Sequence, residues 1–437
     1  MKKQKSTLTR LQYIFLSALF FFTAFLNSST AQDSLNVRLI SSFDAANPAT
    51  DVFVSNNFAY LANDVGGLRI INVADSTNPN EVGFLTNNGT EDVFVSGDFA
   101  YLANRYGLRI VDVSDKTAPV ELGFLAVGLT VTGRHPSGVF VSGNYAYVAE
   151  SVDLRIVDIS DSANPVEVSY FTTNGFAHDV FISGNYAFVA DENDGLRIID
   201  ISNPAAPVEV GYYDTAGSAH RVYVKGNYAY VADRIDGLRI IDITDKTNPT
   251  EVGFYDRNSE AFGIFVNDNY AYVTVGNAGS GFAGLRVVDI NDPSNPTETG
   301  YYYTPDVVAG IFVVNKLAYV ADDWAGMYIF HNDFITGVAD NLNIPIEFSL
   351  KQNYPNPFNP STKIKYSIPN AGNENFRSVQ LKVYDMLGRE VDMLVNKQQK
   401  PGFYEVNFDA SKLSSGIYFY RLSAGSFFNV KKMLLLK

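Results

Sequence analysis

One unit occurs seven times at spacings of 40 to 47 residues, its strand-like segments are apolar on both faces, and no stretch has helical periodicity. Together these predict an all-β chain: a seven-bladed β-propeller followed by a small C-terminal β-sandwich. The unit is marked by Gly67-Leu68-Arg69-Ile70-Ile71-Asn72-Val73. It returns at Leu108, Leu154, Leu196, Leu238 and Leu285, and in degenerate form at Met327. A sheet with one wet face would alternate apolar with polar residues. Strands apolar on both faces suit blades packed against neighbours on each side.

In chain order the first segment is an address. A basic stretch ends at Arg10, an apolar run covers Leu11 to Leu26, and Ser29-Thr30-Ala31 places small residues before Gln32. The run is short for a span of about 20 residues. The layout is that of a secretory signal peptide, 1–31, cleaved between Ala31 and Gln32; an uncleaved anchor is the alternative.

The propeller is expected over 32–332. In each unit a first strand with an aromatic centre (Val93-Phe94-Val95, Val222-Tyr223-Val224) leads through a Gly-Asn turn to a second strand such as Tyr145-Ala146-Tyr147-Val148-Ala149. Glycine and asparagine tolerate the positive φ that such turns demand. An Asp/Gly turn opens the third strand, Leu-Arg-Ile-Ile-Asp-Ile, and an Asn-Pro or Ala-Pro loop opens the fourth. Six units have a fourth strand and the seventh lacks one, whereas Val37–Phe43 precedes the first hairpin as an orphan. The orphan is expected to complete the last blade and close the ring, removing exposed sheet edges. The motif acid (Asp112, Asp158, Asp200, Asp242, Asp289; Asn72 in the first unit) recurs too regularly for a special chemistry and is expected to cap a turn.

These repeats resemble the LVIVD repeat family, through Leu-Arg-Ile-Val-Asp at 154–158 and Leu-Arg-Ile-Ile-Asp at 196–200 and 238–242, over roughly 36–332. The resemblance implies a propeller and little about activity.

Function is expected where flanking residues recur but one position varies. The residue before each inner strand reads Thr50, Glu91, Ser137, His178, His220, Phe262 and Ala309. The next reads Asp51, Asp92, Gly138, Asp179, Arg221, Gly263 and Gly310. The residue after each second strand reads Asn63, Asn104, Glu150, Asp191, Asp233, Val275 and Asp322. All converge on one mouth of the channel. His178 with Asp191 and His220 with Asp233 are candidate pairs, able to hold a divalent cation or act as acid and base, or else to make hydrogen bonds within their own blades. Glu91, Asp92, Asp179 and Arg221 would extend a polar pocket. The turns 191–195 and 233–237 are acidic but lack the twelve-residue loop of an EF-hand, and read as plain turns. The glycine-rich stretch from Gly276 to Gly281 lacks a lysine and a following helix, and Trp324 is a lone candidate for sugar stacking.

Composition narrows the classes. The chain of 437 residues has no cysteine and four histidines, which excludes disulfides and thiolate metal sites. Residues 32–346 carry 40 acidic against 16 basic residues, a charge that repels nucleic acid. No other apolar run is long enough to span a bilayer.

After a polar linker, 333–346, the period breaks. Residues 347–437 alternate cleanly in Lys363–Ile368, Val379–Val383, Tyr404–Phe408 and Ile417–Leu422, as in a small sandwich. This segment resembles the type A C-terminal sorting domain of the type IX secretion system of Bacteroidota. The resemblance rests on Asn353-Tyr354-Pro355-Asn356-Pro357-Phe358-Asn359-Pro360, the stretch Val383 to Val391 with Gly388, the stretch Leu413 to Tyr418 with Gly416, and the ending from Lys431 and Lys432. It implies Sec-dependent passage to the periplasm, recognition by an outer-membrane translocon, and a secreted or cell-surface location. A carbohydrate-binding or adhesion sandwich is the alternative.

The reading that follows is a secreted or surface propeller that binds a ligand or protein without turnover and needs no cofactor. A hydrolase or lyase acting on polysaccharide or peptide, and a structural part of the envelope, are the other readings.

Overall fold

The computed structural model describes residues 34–127, 136–256, 259–276, 283–323, 326–333, 348–368, 377–400, 402–424 and 427–436. The signal peptide with Ala31 and Gln32, His135, residues 277–282, Trp324 and the linker beyond 333 lie outside them.

Among the described residues, seven antiparallel sheets, six of four strands and one of five, stand around one axis. Their inner strands are Asp51–Ser55, Thr90–Ser96, Pro136–Ser142, Asp179–Ser183, Arg221–Lys225, Glu260–Asn267 and Val308–Val314. Each touches the inner strand before and after it, and the seventh touches the first, so the ring is closed. Seven separate apolar cores lie between the blades. In the core between the seventh and first blades, Val52, Val54 and Ile71 meet Tyr319, Met327 and Ile329. This two-sided packing is why the strands are apolar throughout.

The aromatic centre of each inner strand serves the axis. Phe53, Phe94, Phe140, Phe181, Tyr223, Phe265 and Phe312 form a closed collar, with neighbouring centroids 4.7 to 5.1 Å apart. Tilted aromatic pairs at this spacing each add about 0.5–1.5 kcal/mol beyond their burial.

Val37–Phe43 pairs with Gly326–Asn332 and completes the seventh blade, as the orphan strand implied. One element escaped the sequence: Ser34–Leu35 adds a fifth strand to the outer edge of the sixth blade, opposite Tyr301 and Tyr302. Asn36, at φ 54°, turns the chain from one blade to the next.

The motif residue caps its turn in six of the seven units. Asp112, Asp158, Asp200, Asp242, Asp289 and Asn72 each accept the amide two residues on. The outer strands carry a bulge where Gly83, Gly123, Gly211 and Gly253 lie against a carbonyl of the next blade. A Cβ at Gly211 would sit 2.1 Å from the Lys246 carbonyl oxygen, so only a hydrogen fits without movement. Two blades use serine at this point, and Ser41 and Ser169 donate to the Ser76 and Pro204 carbonyls.

The C-terminal domain packs the sheet Ser349–Leu350, Ser361–Ile368 and Gly402–Asp409 on the sheet Glu390–Gln399, Arg377–Asp385, Gly416–Ala424 and Phe427–Leu435. Its core holds Phe358, Ile364, Tyr366, Leu381, Phe408, Tyr420 and Met433. Glu390–Gln399 and Phe427–Leu435 are strands that sequence alternation did not mark. The first is an edge strand whose polar residues other than Gln399 face water; the second was legible only as a basic ending.

Candidate functional site at the channel mouth

Each blade delivers three residues to one mouth of the ring, because the inner and second strands of every hairpin end there. The Asp179–Ser183 strand pairs with Tyr186–Ala190, which sets His178 and Asp191 at the same level; blade five does the same for His220 and Asp233.

The four side chains do not form the pairs that the spacing suggested. The two imidazoles lie against each other, with centroids 4.8 Å apart. Phe176 packs on His178 at 4.9 Å and Phe262 meets the edge of His220 at 5.6 Å. His220 Nδ1 donates to the Phe262 carbonyl at 2.9 Å. Burial, reinforced by His178 and Arg221, pushes the His220 imidazole down to about 3, so it is neutral at ordinary pH. The Arg234 guanidinium stands over Phe262 and pairs with Glu260 at 3.1 Å. The result is an arc of four half-buried rings over blades four to six, ending in an ion pair. Phe176, Arg234 and Glu260 were not singled out from sequence, because they flank the compared positions: Phe176 and Glu260 lie two residues before the entry residue, and Arg234 one after the exit residue Asp233.

Asp191 and Asp233 turn instead to the connection that brings the chain in from the previous blade. Asp191 accepts from the Gly175 amide at 3.0 Å, and Asp233 accepts from the Thr215 hydroxyl at 2.6 Å. Asn63 and Asn104, at the same position in earlier blades, hold their connections by donating to carbonyls. The acids therefore replace the amides in one structural job. Arg197 forks among Asp191, Asp194 and Glu209, and Arg239 among Asp233, Asp236 and Glu251, so each acidic turn already has its cation. Among the described residues, no group of three or more His, Asp or Glu is placed to hold a metal ion.

Burial raises both acids, Asp233 to about 7. A raised carboxyl binds its proton more tightly folded than unfolded. Its contribution is fully present below its ordinary 3.8 and is lost as the pH rises through about 7. Replacing Asp233→Asn is expected to flatten that loss and leave the variant ~1–2 kcal/mol ahead of the parent at pH 8. Melting curves at pH 5 and pH 8 check this; an unchanged difference between the two pH values in the variant would refute it.

Beneath the ring arc lies a charged hub. Arg221 reaches Asp92 at 3.0 Å, Asp179 at 3.6 Å and Asp51 at 3.7 Å, which ties together blades one, two, four and five. The carboxyls also cross to the next blade: Asp92 accepts from the Val139 amide and Asp179 from the Val222 amide. Glycine at positions 138 and 310 leaves room for the carboxyls of Asp179 and Asp51; a Cβ at Gly310 would lie 2.2 Å from Asp51 Oδ1. Burial and then Asp92 hold Asp51 well above the usual carboxylate range. Burial also raises Asp179, partly offset by Arg221. Burial alone would lower Arg221, but Asp92, Asp51 and Asp179 outweigh it and keep the guanidinium charged. Glu91, the remaining predicted rim acid, stands apart from the hub and pairs with Arg105 at 2.9 Å, which also holds Asp64 at 3.0 Å.

The LVIVD repeat model matches residues 47–86, 89–126, 133–173, 174–215, 216–257 and 259–304, more than half of the chain. The chain belongs to the LVIVD repeat family. The seventh blade, split between the two ends of the propeller, falls outside those matches. Residues 352–436 match the secretion system C-terminal sorting domain. No curated protein matches the chain.

Solved structures similar to this LVIVD protein are propellers. The WD40 β-propeller domain of Doa1 is 9% identical with a TM-score of 0.54, covering 70% of this chain and 100% of that one. The β-propeller domain of Cps50 (Swd1) from Myceliophteria thermophila is 11% identical with a TM-score of 0.53, over 68% and 99%. The computationally designed Ika8 protein is 8% identical with a TM-score of 0.50, over 67% and 99%. At such identities they speak for the fold alone.

The residues that carry the sorting-domain match form one built unit. Asn353 is buried and donates to the Pro355 carbonyl and Thr362 hydroxyl, while its amide donates to Tyr420. Tyr354 is exposed, Phe358 is in the core, and Tyr354-Pro355 and Asn356-Pro357 are cis. Asn356 accepts from the Leu434 amide, Pro360 from the Ala410 amide, and Asn359 lies at the surface. Gly388 takes φ 75° in the turn that Asp385 caps. Gly416 opens the strand in which the Tyr418 hydroxyl donates to Ser414, and Lys431 and Lys432 pair opposite Tyr420 and Phe419. The tail indicates type IX export to the cell surface or the extracellular space. Among the described residues no helix is long and apolar enough to cross a membrane.

Proposed function

We propose that this is a non-enzymatic recognition protein, carried by the Sec route and an outer-membrane type IX translocon, that binds a ligand or partner at the channel mouth. The observation that supports this reading is the arc Phe176, His178, His220 and Phe262. It is a partly open stacking surface, with a neutral His220 and an ion pair at one end. Stacking surfaces of this kind suit apolar or neutral groups such as a sugar face or an aromatic side chain. Of the acids that a hydrolase would use, Asp92 and Asp179 pair with Arg221 and Asp191 with Arg197, while Asp233 accepts from Thr215 and stands 3.9 Å from Arg239.

The test is a thermal-shift screen of the purified chain against neutral oligosaccharides and short aromatic peptides, with product analysis of every hit. The expected result is stabilisation without turnover, lost in the Phe176→Ala/Phe262→Ala variant. Release of product, abolished by Asp191→Ala or Asp233→Ala in a folded protein, would instead establish a hydrolase or lyase. In a host with the secretion system, a chain ending at residue 346 is expected to stay in the periplasm.

A further inference from the structure

The outer strands present a second surface, distinct from the ring arc at the mouth. On six blades the arginine of the Leu-Arg-Ile motif stands directly opposite an aromatic residue of the outer strand: Arg69 with Phe84, Arg109 with Phe124, Arg155 with Tyr170, Arg197 with Tyr212, Arg239 with Phe254, and Arg286 with Tyr301. Each guanidinium lies 4.6 to 5.2 Å from its ring centroid and also pairs with a glutamate of the same outer strand. The arginine thus clamps one side of the ring and fixes its orientation.

The other side is open. Phe84, Phe124, Tyr170, Tyr212 and Phe254 are 41 to 59% exposed. Five large aromatic residues on successive blades are unusual on a soluble surface, where single exposed rings are ordinary but an ordered series is not. The series stops at the sixth blade, where Leu35 pairs across from Tyr301. At the fourth blade the ring fronts a groove of about 580 Å³, bounded by Tyr212, Glu209, Asp214, Thr247, Asn248 and Pro249. An aromatic floor with amide, hydroxyl and carboxylate edges in a groove of this size is the chemistry of sugar recognition.

We propose that this girdle binds a neutral polysaccharide, one stretch of the polymer lying on each exposed ring. A partner that meets five equivalent stations must itself repeat, which favours a linear polymer over a single folded domain. The 40 acidic against 16 basic residues of 32–346 disfavour an anionic one. Each station alone would be weak, and linkage along the chain raises the affinity without new contacts.

The test is depletion of the purified full-length mature protein by amorphous cellulose, chitin, xylan and α-mannan, with polygalacturonate as the anionic control. The expected result is retention on at least one neutral polymer, with its two- or three-sugar fragments bound at least about tenfold more weakly. Tyr170→Ala and Tyr212→Ala each weaken retention a few-fold, and Tyr170→Ala/Tyr212→Ala/Phe254→Ala abolishes it. Tyr212→Phe retains the stack and the binding. The single variants read the effect in folded protein even if the triple variant is unstable, and melting curves confirm that they are folded. Retention by none of the neutral polymers, equal retention of the folded triple variant, or salt-sensitive capture by polygalacturonate overturns the proposal. The Phe176→Ala/Phe262→Ala variant separates the two sites, since loss of the mouth leaves the girdle intact.

Discussion

Deleting residues 36–43 is expected to lower the melting temperature of the propeller by about 10 °C or more and to make it prone to self-association. Val37–Phe43 supplies the whole outer strand of the seventh blade, against Gly326–Asn332. Its loss removes a ladder of backbone hydrogen bonds worth ~1 kcal/mol each, together with the burial of Val37. It also leaves the edge of the third strand unpaired beside the buried Ile329 and Phe330, an edge that invites pairing with another chain. At ~2–4 °C per kcal/mol the combined loss reaches the stated shift. Removing only Ser34 and Leu35, which sit exposed on an already complete blade, is expected to change little. Thermal melting and light scattering of the two deletions decide the matter; equal melting temperatures for parent and the 36–43 deletion would mean that the ring is closed some other way.

Arg221→Met should be the most damaging single substitution in the hub. It leaves Asp51, Asp92 and Asp179 facing one another at the axis without their cation. Removing one partner of a buried ion pair commonly costs about 3–5 kcal/mol, because the remaining charge stays buried. The sign of the pH dependence follows from Asp51, whose carboxyl is already raised by burial and by Asp92. Its contribution is fully present below 3.8 and declines as the pH rises through its elevated folded value. Without Arg221, which lowers Asp51, that elevation grows. The variant is therefore expected to lie closest to the parent in acid and to fall furthest behind above neutrality. Adding Asp92→Asn should restore part of the loss. Denaturant unfolding of the four members of this cycle at pH 5 and pH 8 provides the check, and a loss independent of pH would show that the guanidinium acts by packing rather than by charge.

The repeat made the blades legible because each unit states its own strands, turns and faces, and because seven imperfect copies reveal what is common. Counting strands was enough to assign Val37–Phe43 to the last blade. Ser34–Leu35 was invisible: two residues carry no period, and their pairing depends on an edge built from residues 297–304. At the mouth, the varying positions did converge, but the partners of each side chain did not follow from spacing. His178 and Asp191 share a level yet face different neighbours, one a ring from the next blade and the other the amide of an incoming connection. Arg221 lies 129 residues from Asp92, and nothing local to either announces the contact. The girdle was hidden by its regularity: a residue repeated in six units reads as structural, and only its exposure shows that the ring of five arginine–aromatic pairs is open to a partner.

The two ends of the propeller are fastened side by side. The Asp333 amide donates to the Asn36 carbonyl, and Arg38 holds the Asp333 carboxylate at 3.0 Å. Tension applied through the sorting tail would thus enter the ring at the end of a strand that lies between two antiparallel partners, 37–43 and 317–322. A pull along the strand axis makes its hydrogen bonds fail together by sliding instead of one at a time by peeling. A blade loaded in this direction resists being unravelled from its terminus, and a cargo held in this way can be towed as a folded body.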